Sequence, residues 1–189
     1  MADHLRSLVG PSLVIDGDVM PSDLLTDLLL ERNETISCAE SCTSGFIAKL
    51  LTDKRGSSAW FYGGGGTYAN EAKREVLGVS ELTLDTHGAV SEACVREMAK
   101  GVLDRSKTDW SIAVSGIAGP DGGSKEKPIG TVWFGFAGKN RPTEAVCVHL
   151  STWGRESVRR KASVVALILA SRYIKGDCLL DTVDKWQYI

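Results

Sequence analysis

Several features are scarce in this 189-residue sequence, and each scarcity removes a class of protein. No apolar run approaches the roughly 20 residues needed to cross a bilayer, so no membrane-spanning segment is expected. No block of lysine and arginine is present. The 22 basic residues against 24 acidic ones leave a net charge of −2, which is not the footprint of a nucleic-acid or anionic-lipid binder. Met1-Ala2-Asp3-His4 has neither a basic nor an apolar leader character, so no secretory signal is expected. The five cysteines, at 38, 42, 94, 147 and 178, are odd in number, scattered, and match no zinc spacing. Reduced thiols in a cytoplasmic protein is the economical reading. The three histidines, His4, His87 and His149, have no recognisable partners, which argues against a histidine-based triad. Neither an internal repeat nor a low-complexity linker appears, so a single domain over 1–189 is expected, with 1–20 and 176–189 as terminal extensions.

What is present is an alternation of helical and strand-like segments. Pro21 opens a helix that Ser22 can cap, with Leu24, Leu25, Leu28 and Leu29 on one stripe. Thr35 to Glu40 reads as a strand that runs through a turn of small residues, Ser41 to Gly45, into a helix carrying Phe46, Ile47, Leu50 and Leu51. Ser58 to Tyr68 is strand-like around four glycines, Gly63 to Gly66, which mark a weak strand or a close backbone approach. Asn70 suits a cap for a helix Glu71 to Leu77 closed by Gly78. Ser91 to Asp104 follows as a helix, with Cys94, Val95, Met98 and Val102 facing inward. Trp110 to Ser115 is a buried strand, and the loop Gly116 to Gly123 comes after it. Ile129 to Phe136 and Ala145 to Leu150 read as a hairpin through Gly138-Lys139-Asn140, and Ser157 to Ile174 as the longest helix. Leu179, Leu180, Val183 and Trp186 suggest a short docked helix in the tail. This order implies an α/β fold, a three-layer α/β/α sandwich around a mixed, mostly parallel sheet.

In open α/β sheets ligands sit beyond the carboxyl ends of the strands. Three segments bring polar or glycine-rich residues there: Ser41 to Gly45, Tyr68 to Lys73, and Ser115 to Gly123. Ser41 stands where helix N–H groups favour developing negative charge, as a nucleophile would need. Equally, Ser41, Thr43 and Ser44 can simply cap the helix. Lys73, in the first turn of its helix, is placed where the dipole and partial burial disfavour its charge. A partly neutral lysine can take a serine proton. Tyr68 just before it can relay that proton, or the pair can be a core tyrosine and a surface lysine. Arg155 at the entry of the long helix suits a phosphate or carboxylate, whereas Arg159 and Arg160 read as ordinary solvated arginines.

Ala39-Glu40-Ser41-Cys42-Thr43-Ser44-Gly45, Thr67-Tyr68-Ala69-Asn70-Glu71-Ala72-Lys73 with Leu77-Gly78-Val79, Gly88-Ala89-Val90-Ser91, Ser115 to Gly123 and Lys127-Pro128-Ile129-Gly130-Thr131-Val132 together resemble the CinA C-terminal family. Its active members are nicotinamide-nucleotide amidases. The resemblance implies a self-associating domain that hydrolyses the carboxamide of nicotinamide mononucleotide, with a place in NAD recycling and with no cofactor or metal. It also implies Ser41 as nucleophile, Tyr68 and Lys73 as catalytic partners, and Arg155 on the phosphate. Thr43, Gly45, Asn70, Ser115 and Gly119 would line the substrate. Two places depart from the pattern: Ser44 where glycine is more usual, and Gly65-Gly66 where apolar residues are. They suggest less room beside the nucleophile and a looser strand before Tyr68. No counterpart of the molybdopterin-binding-like domain of longer relatives is present, so no pyrophosphatase activity is expected. Two other readings remain at this stage. One is Cys42 as a nucleophile of depressed pKa. The other is a non-catalytic nucleotide-binding or protein-interaction module.

Overall fold

The computed structural model describes residues 20–150 and 153–179. Nearly all of the N-terminal extension, residues 1–19, and the tail reading from residue 180 onward lie outside the described residues. Helix α1 spans Pro21–Arg32. It begins two residues earlier than a Ser22 cap would set it: Pro21, with its fixed φ, takes the first helical position and Met20 is the extended cap. Leu25 and Leu29 are buried and Leu24 is exposed, so the apolar stripe is narrower than the leucines suggest. Then follow β1 (Ile36–Glu40), α2 (Phe46–Thr52), β2 (Phe61–Gly66), α3 (Asn70–Leu77), α4 (Glu81–His87), α5 (Glu92–Ser106), β3 (Trp110–Gly116), β4 (Thr131–Gly138), β5 (Arg141–His149) and α6 (Arg155–Lys175). Helix α4 has no counterpart in the sequence reading. Ser80 caps it by accepting from the Thr83 N–H, and its seven residues are too few to show a helical period.

The sheet order is β2-β1-β3-β4-β5, with β1 parallel to both β2 and β3 and the two later pairs antiparallel. Four of the five strands therefore run one way. The late hairpin turns through Lys139-Asn140. Strand β2, despite its glycines, pairs with β1 in unbroken register from Gly63 to Gly66. Here the looser strand expected from Gly65 and Gly66 is not found, because the parallel ladder is made by backbone groups that glycine retains. The glycines leave their mark elsewhere. A cavity of about 340 Å³ opens beside them, lined by Tyr62, Val76, Val102 and Arg105 among others.

The two faces of the sheet are unlike. One carries Ile36, Cys38, Ile112, Val114, Phe134 and Phe136 under α1, α2 and α6. The other carries Ala39, Ala113 and Ala137 under α3, α4 and α5. Alternation along each strand produces this division. The small face lets α5 approach so closely that a Cβ on Gly135 would meet the Val95 carbonyl oxygen at 2.3 Å. Helix α3 is held against α5 in the same way, since a Cβ on Gly101 would lie 1.8 Å from the Leu77 carbonyl oxygen. The glycines thus set how near α3 sits to the sheet. No helix among the described residues is long and apolar enough to cross a membrane.

Gly101→Ala is expected to destabilise the protein by about 1–3 kcal/mol, because the obstructing atom is backbone and cannot rotate away. Urea unfolding checks this: the midpoint falls at constant slope. A wild-type midpoint would contradict the packing described here.

Candidate active site

Because β1, β2 and β3 are parallel, their carboxyl ends at Glu40, Gly66 and Gly116 share one edge of the sheet. Strand β5 ends there too, at His149, and α6 starts a few residues later at Arg155. The segments carrying the expected site residues therefore converge by topology.

Ser41 extends β1 by one step, its N–H donating to the Val114 carbonyl at 3.0 Å, and it is 8% exposed. Lys73 reaches it from α3. The Lys73 side chain is 1% exposed, and its Nζ lies 3.1 Å from Ser41 Oγ, 2.9 Å from the Thr67 carbonyl and 2.8 Å from the Tyr68 carbonyl. Burial lowers the Lys73 amine below the ordinary lysine value, and nearby Cys94 and Cys42 oppose this only as weaker effects. Both thiols are themselves pushed up by burial, to about 11 and about 12, so they stay protonated near neutrality. That overturns the depressed pKa considered for Cys42. Its sulfur lies in the core, where desolvation outweighs any field from the turn.

Asn70 does not cap α3. Ala69, extended at φ −71° and ψ 154°, holds that position, and Asn70 is the exposed first helical residue. The chain stays extended one residue further than the polar side chain suggested. Burial is the first cause of the lowered Lys73 pKa, as its enclosure in the site implies.

The turn after Ser41 is built differently from a bare helix N-terminus. The buried Glu40 carboxylate turns back under it and accepts from the N–H groups of Gly45 (2.9 Å), Ile47 (3.2 Å) and Ala48 (2.9 Å). Those donors of α2 are thereby spent, Gly45 included. Among the described residues, the N–H groups of Cys42, Thr43 and Ser44 have no hydrogen-bond acceptor. Thr43 is 0% exposed and its Oγ1 has no partner. Ser44 sits at φ 48°, in the left-handed region that favours glycine. Its hydroxyl donates to the Ser41 carbonyl at 3.0 Å and offsets part of that strain. The side chain folds back onto the turn, which accounts for serine at a position where glycine would be easier.

Arg159, read from sequence as solvated, is engaged instead. Its Nε donates to the Cys42 carbonyl at 3.1 Å and Nη2 to the Thr43 carbonyl at 3.3 Å, with the guanidinium 4.7 Å over the Phe46 ring. Arg160 pairs with Glu156 on the exposed side of α6. One turn earlier, Arg155 Nη1 donates to the Gly119 carbonyl at 2.7 Å and Nη2 to the Tyr68 hydroxyl at 3.0 Å. Tyr68 is 60% exposed, and so joins the two parts of the site: its carbonyl meets Lys73 while its hydroxyl meets Arg155. Ser115 lies deeper, its hydroxyl donating to the Ala89 carbonyl at 2.7 Å. Among the described residues, no cluster of three or more histidine, cysteine, aspartate or glutamate side chains is arranged to hold a metal ion.

Glu40 and Arg159 are the residues that the sequence reading did not single out. A carboxylate ending a strand of small and apolar residues is a signal for the first. Helical spacing from Arg155 is a weaker one for the second.

Comparison with known proteins agrees with this architecture. The model of the CinA C-terminal domain matches residues 20–174. A protein of Enterobacter agglomerans named nicotinamide-nucleotide amidohydrolase PncC is 58% identical over 142 residues, covering 75% of this chain and 86% of that protein. A putative competence-damage inducible protein of Symbiobacterium thermophilum is 52% identical over 180 residues, 92% of this chain but 42% of the longer relative. The crystal structure of a CinA superfamily protein from Klebsiella pneumoniae 700603 superposes with a TM-score of 0.78 at 35% identity, covering 82% of this chain and 96% of that one. With the fold, the ordered motifs and these matches in agreement, the chain belongs to the CinA C-terminal domain family.

Proposed function

We propose that this protein is an amidohydrolase that converts nicotinamide mononucleotide to nicotinate mononucleotide and ammonia, with Ser41 as nucleophile and Lys73 as its base. Relatives named for that activity support the substrate class. The observation that carries the mechanism is the buried amine 3.1 Å from Ser41 Oγ with two carbonyls as its other neighbours. A neutral amine has two N–H groups and one lone pair. The Thr67 and Tyr68 carbonyls can only accept, so they take the two N–H groups and leave the lone pair facing Ser41. The Ser41 O–H then donates to Lys73 Nζ, without a tyrosine relay.

As the proton passes to Lys73, Ser41 Oγ bonds to the carboxamide carbon and the carbonyl π pair moves onto oxygen. N–H groups of the Cys42–Ser44 turn receive that oxyanion in place of the donors spent on Glu40. Collapse breaks the C–N bond, and the nitrogen leaves as ammonia with the proton from Lys73. Water, losing a proton to the same amine, adds to the ester, and the carboxylate departs as Ser41 is restored. Arg155 holds the 5′-phosphate with the guanidinium donors it does not spend on Gly119 and Tyr68. It thus binds a part of the substrate remote from the reaction. Asn70 and Gly119 flank the nucleotide around it, while Ser115, buried with its hydroxyl on the Ala89 carbonyl, supports the loop from beneath.

Ser41→Ala is expected to reduce kcat by on the order of 10⁶ and Cys42→Ala to leave it near wild type, read by ammonia release from the mononucleotide. Loss of activity in the cysteine variant alone would reassign the nucleophile. The pH profile of kcat/KM carries the second expectation. Lys73 is active only when unprotonated and its pKa is lowered, so activity rises with pH and levels off below the ordinary lysine value of 10.5. A rise centred at or above that value would remove the buried amine from the mechanism. Arg155→Ala is expected to cost about 1.5–3 kcal/mol in kcat/KM, taken mainly in KM, and an unchanged KM would exclude the phosphate role.

A further inference from the structure

Arg159 makes no hydrogen bond to Ser41 or Lys73, yet it donates to two consecutive carbonyls of the turn between the nucleophile and α2, the second of which also accepts from the Phe46 N–H at 3.3 Å. A trans peptide is planar, with its C=O and N–H pointing in opposite directions. Fixing the Cys42 carbonyl therefore aims the Thr43 N–H, and fixing the Thr43 carbonyl aims the Ser44 N–H. Both N–H groups have no acceptor among the described residues, and the buried Thr43 hydroxyl beside them has none either. Arg159 comes from α6, which packs on the large-residue face of the sheet, while Lys73 comes from α3 on the small-residue face. The two N–H groups therefore point away from the Arg159 guanidinium.

We infer that Arg159 is a positioning residue that sets the oxyanion-binding peptides of the Cys42–Ser44 turn by pinning their carbonyls, an inference that rests on the amidase reading for its catalytic half. The Phe46 ring under the guanidinium and the two acceptors at its Nε and Nη2 edge fix its plane. A lysine offers a point charge without that fork and cannot hold both carbonyls in one plane. Arg155 lies one helical turn away on the same helix with its guanidinium on the loop Gly119 and on Tyr68. Helix α6 would then supply one arginine for binding and another for the transition state, and the two should separate in kinetics.

The test uses Arg159→Gln and Arg159→Lys in the full chain, with steady-state ammonia release from nicotinamide mononucleotide and amide hydrogen exchange at Thr43 and Ser44. Expected is a fall in kcat of about 10²-fold with KM within about twofold of wild type in both variants, as for loss of an oxyanion donor. The kcat/KM pH profile should keep its midpoint, since Lys73 is untouched, and exchange at the two amides should accelerate. A merely structural brace would lower the melting temperature without this division between kcat and KM. Wild-type kcat, a loss confined to KM, or unaltered exchange at both amides in a folded variant would overturn the inference. Should the glutamine variant fail to fold, the lysine variant decides on the same readouts. A wild-type enzyme that releases no ammonia sinks the amidase reading instead, and the exchange measurement still decides whether Arg159 orients the turn.

Discussion

A primary amine enclosed by protein, with one hydroxyl and two carbonyl oxygens as its partners, is the interaction on which this site depends. Removing an ammonium from water costs several kcal/mol unless an anion repays it. The groups that act on Lys73 electrostatically are Cys42 and Cys94, and both thiols are held protonated by the same burial. With no negative charge to meet it, the amine is driven toward its neutral form, and the carbonyls of Thr67 and Tyr68 decide where its lone pair points. Burial and backbone geometry together turn an ordinary lysine into a base aimed at one oxygen.

That arrangement needs a sheet with one thin face. Alanine, glycine and serine on the inner positions of β3 and β4 let α5 sit close, and Gly101 lets α3 sit close to α5. Only then does Lys73 reach past the end of β1. The opposite, bulky face carries α6, whose arginines reach over the same strand ends. Between the two layers, Glu40 ties the turn to α2 from below and Arg159 ties it from the side. The left-handed Ser44 and the unpaired Thr43 hydroxyl are places where stability is given up, at the same few residues where chemistry is proposed.

Much of the layout was readable from residue order. Helix and strand periods placed α1, α5, α6 and the hairpin to within a few residues. The convergence of three polar loops followed from the rule on strand ends. What escaped had physical reasons. Helix α4 is shorter than two turns and too brief to show a period. The α3 cap fell on Ala69, because extended backbone after β2 outlasted the propensity of Asn70. Cys42 resembled an activated thiol until its burial was known, since a helix start and a core position look alike in a short motif. Glu40 and Arg159 act through backbone groups of a turn, and a contact of that kind leaves no pattern in the spacing of side chains. The Ser41–Lys73 distance joins residues 32 positions apart, which only the fold can bring together.

The charge state of Lys73 decides the mechanism, and isotope-edited NMR reads it directly. Titration of the folded protein labelled at lysine Cε, with Lys73 assigned by its absence in Lys73→Met, is predicted to show the Lys73 resonance changing at a lower pH than the others. A Lys73 signal that titrates together with the surface lysines, near the ordinary value, would contradict the account at its root.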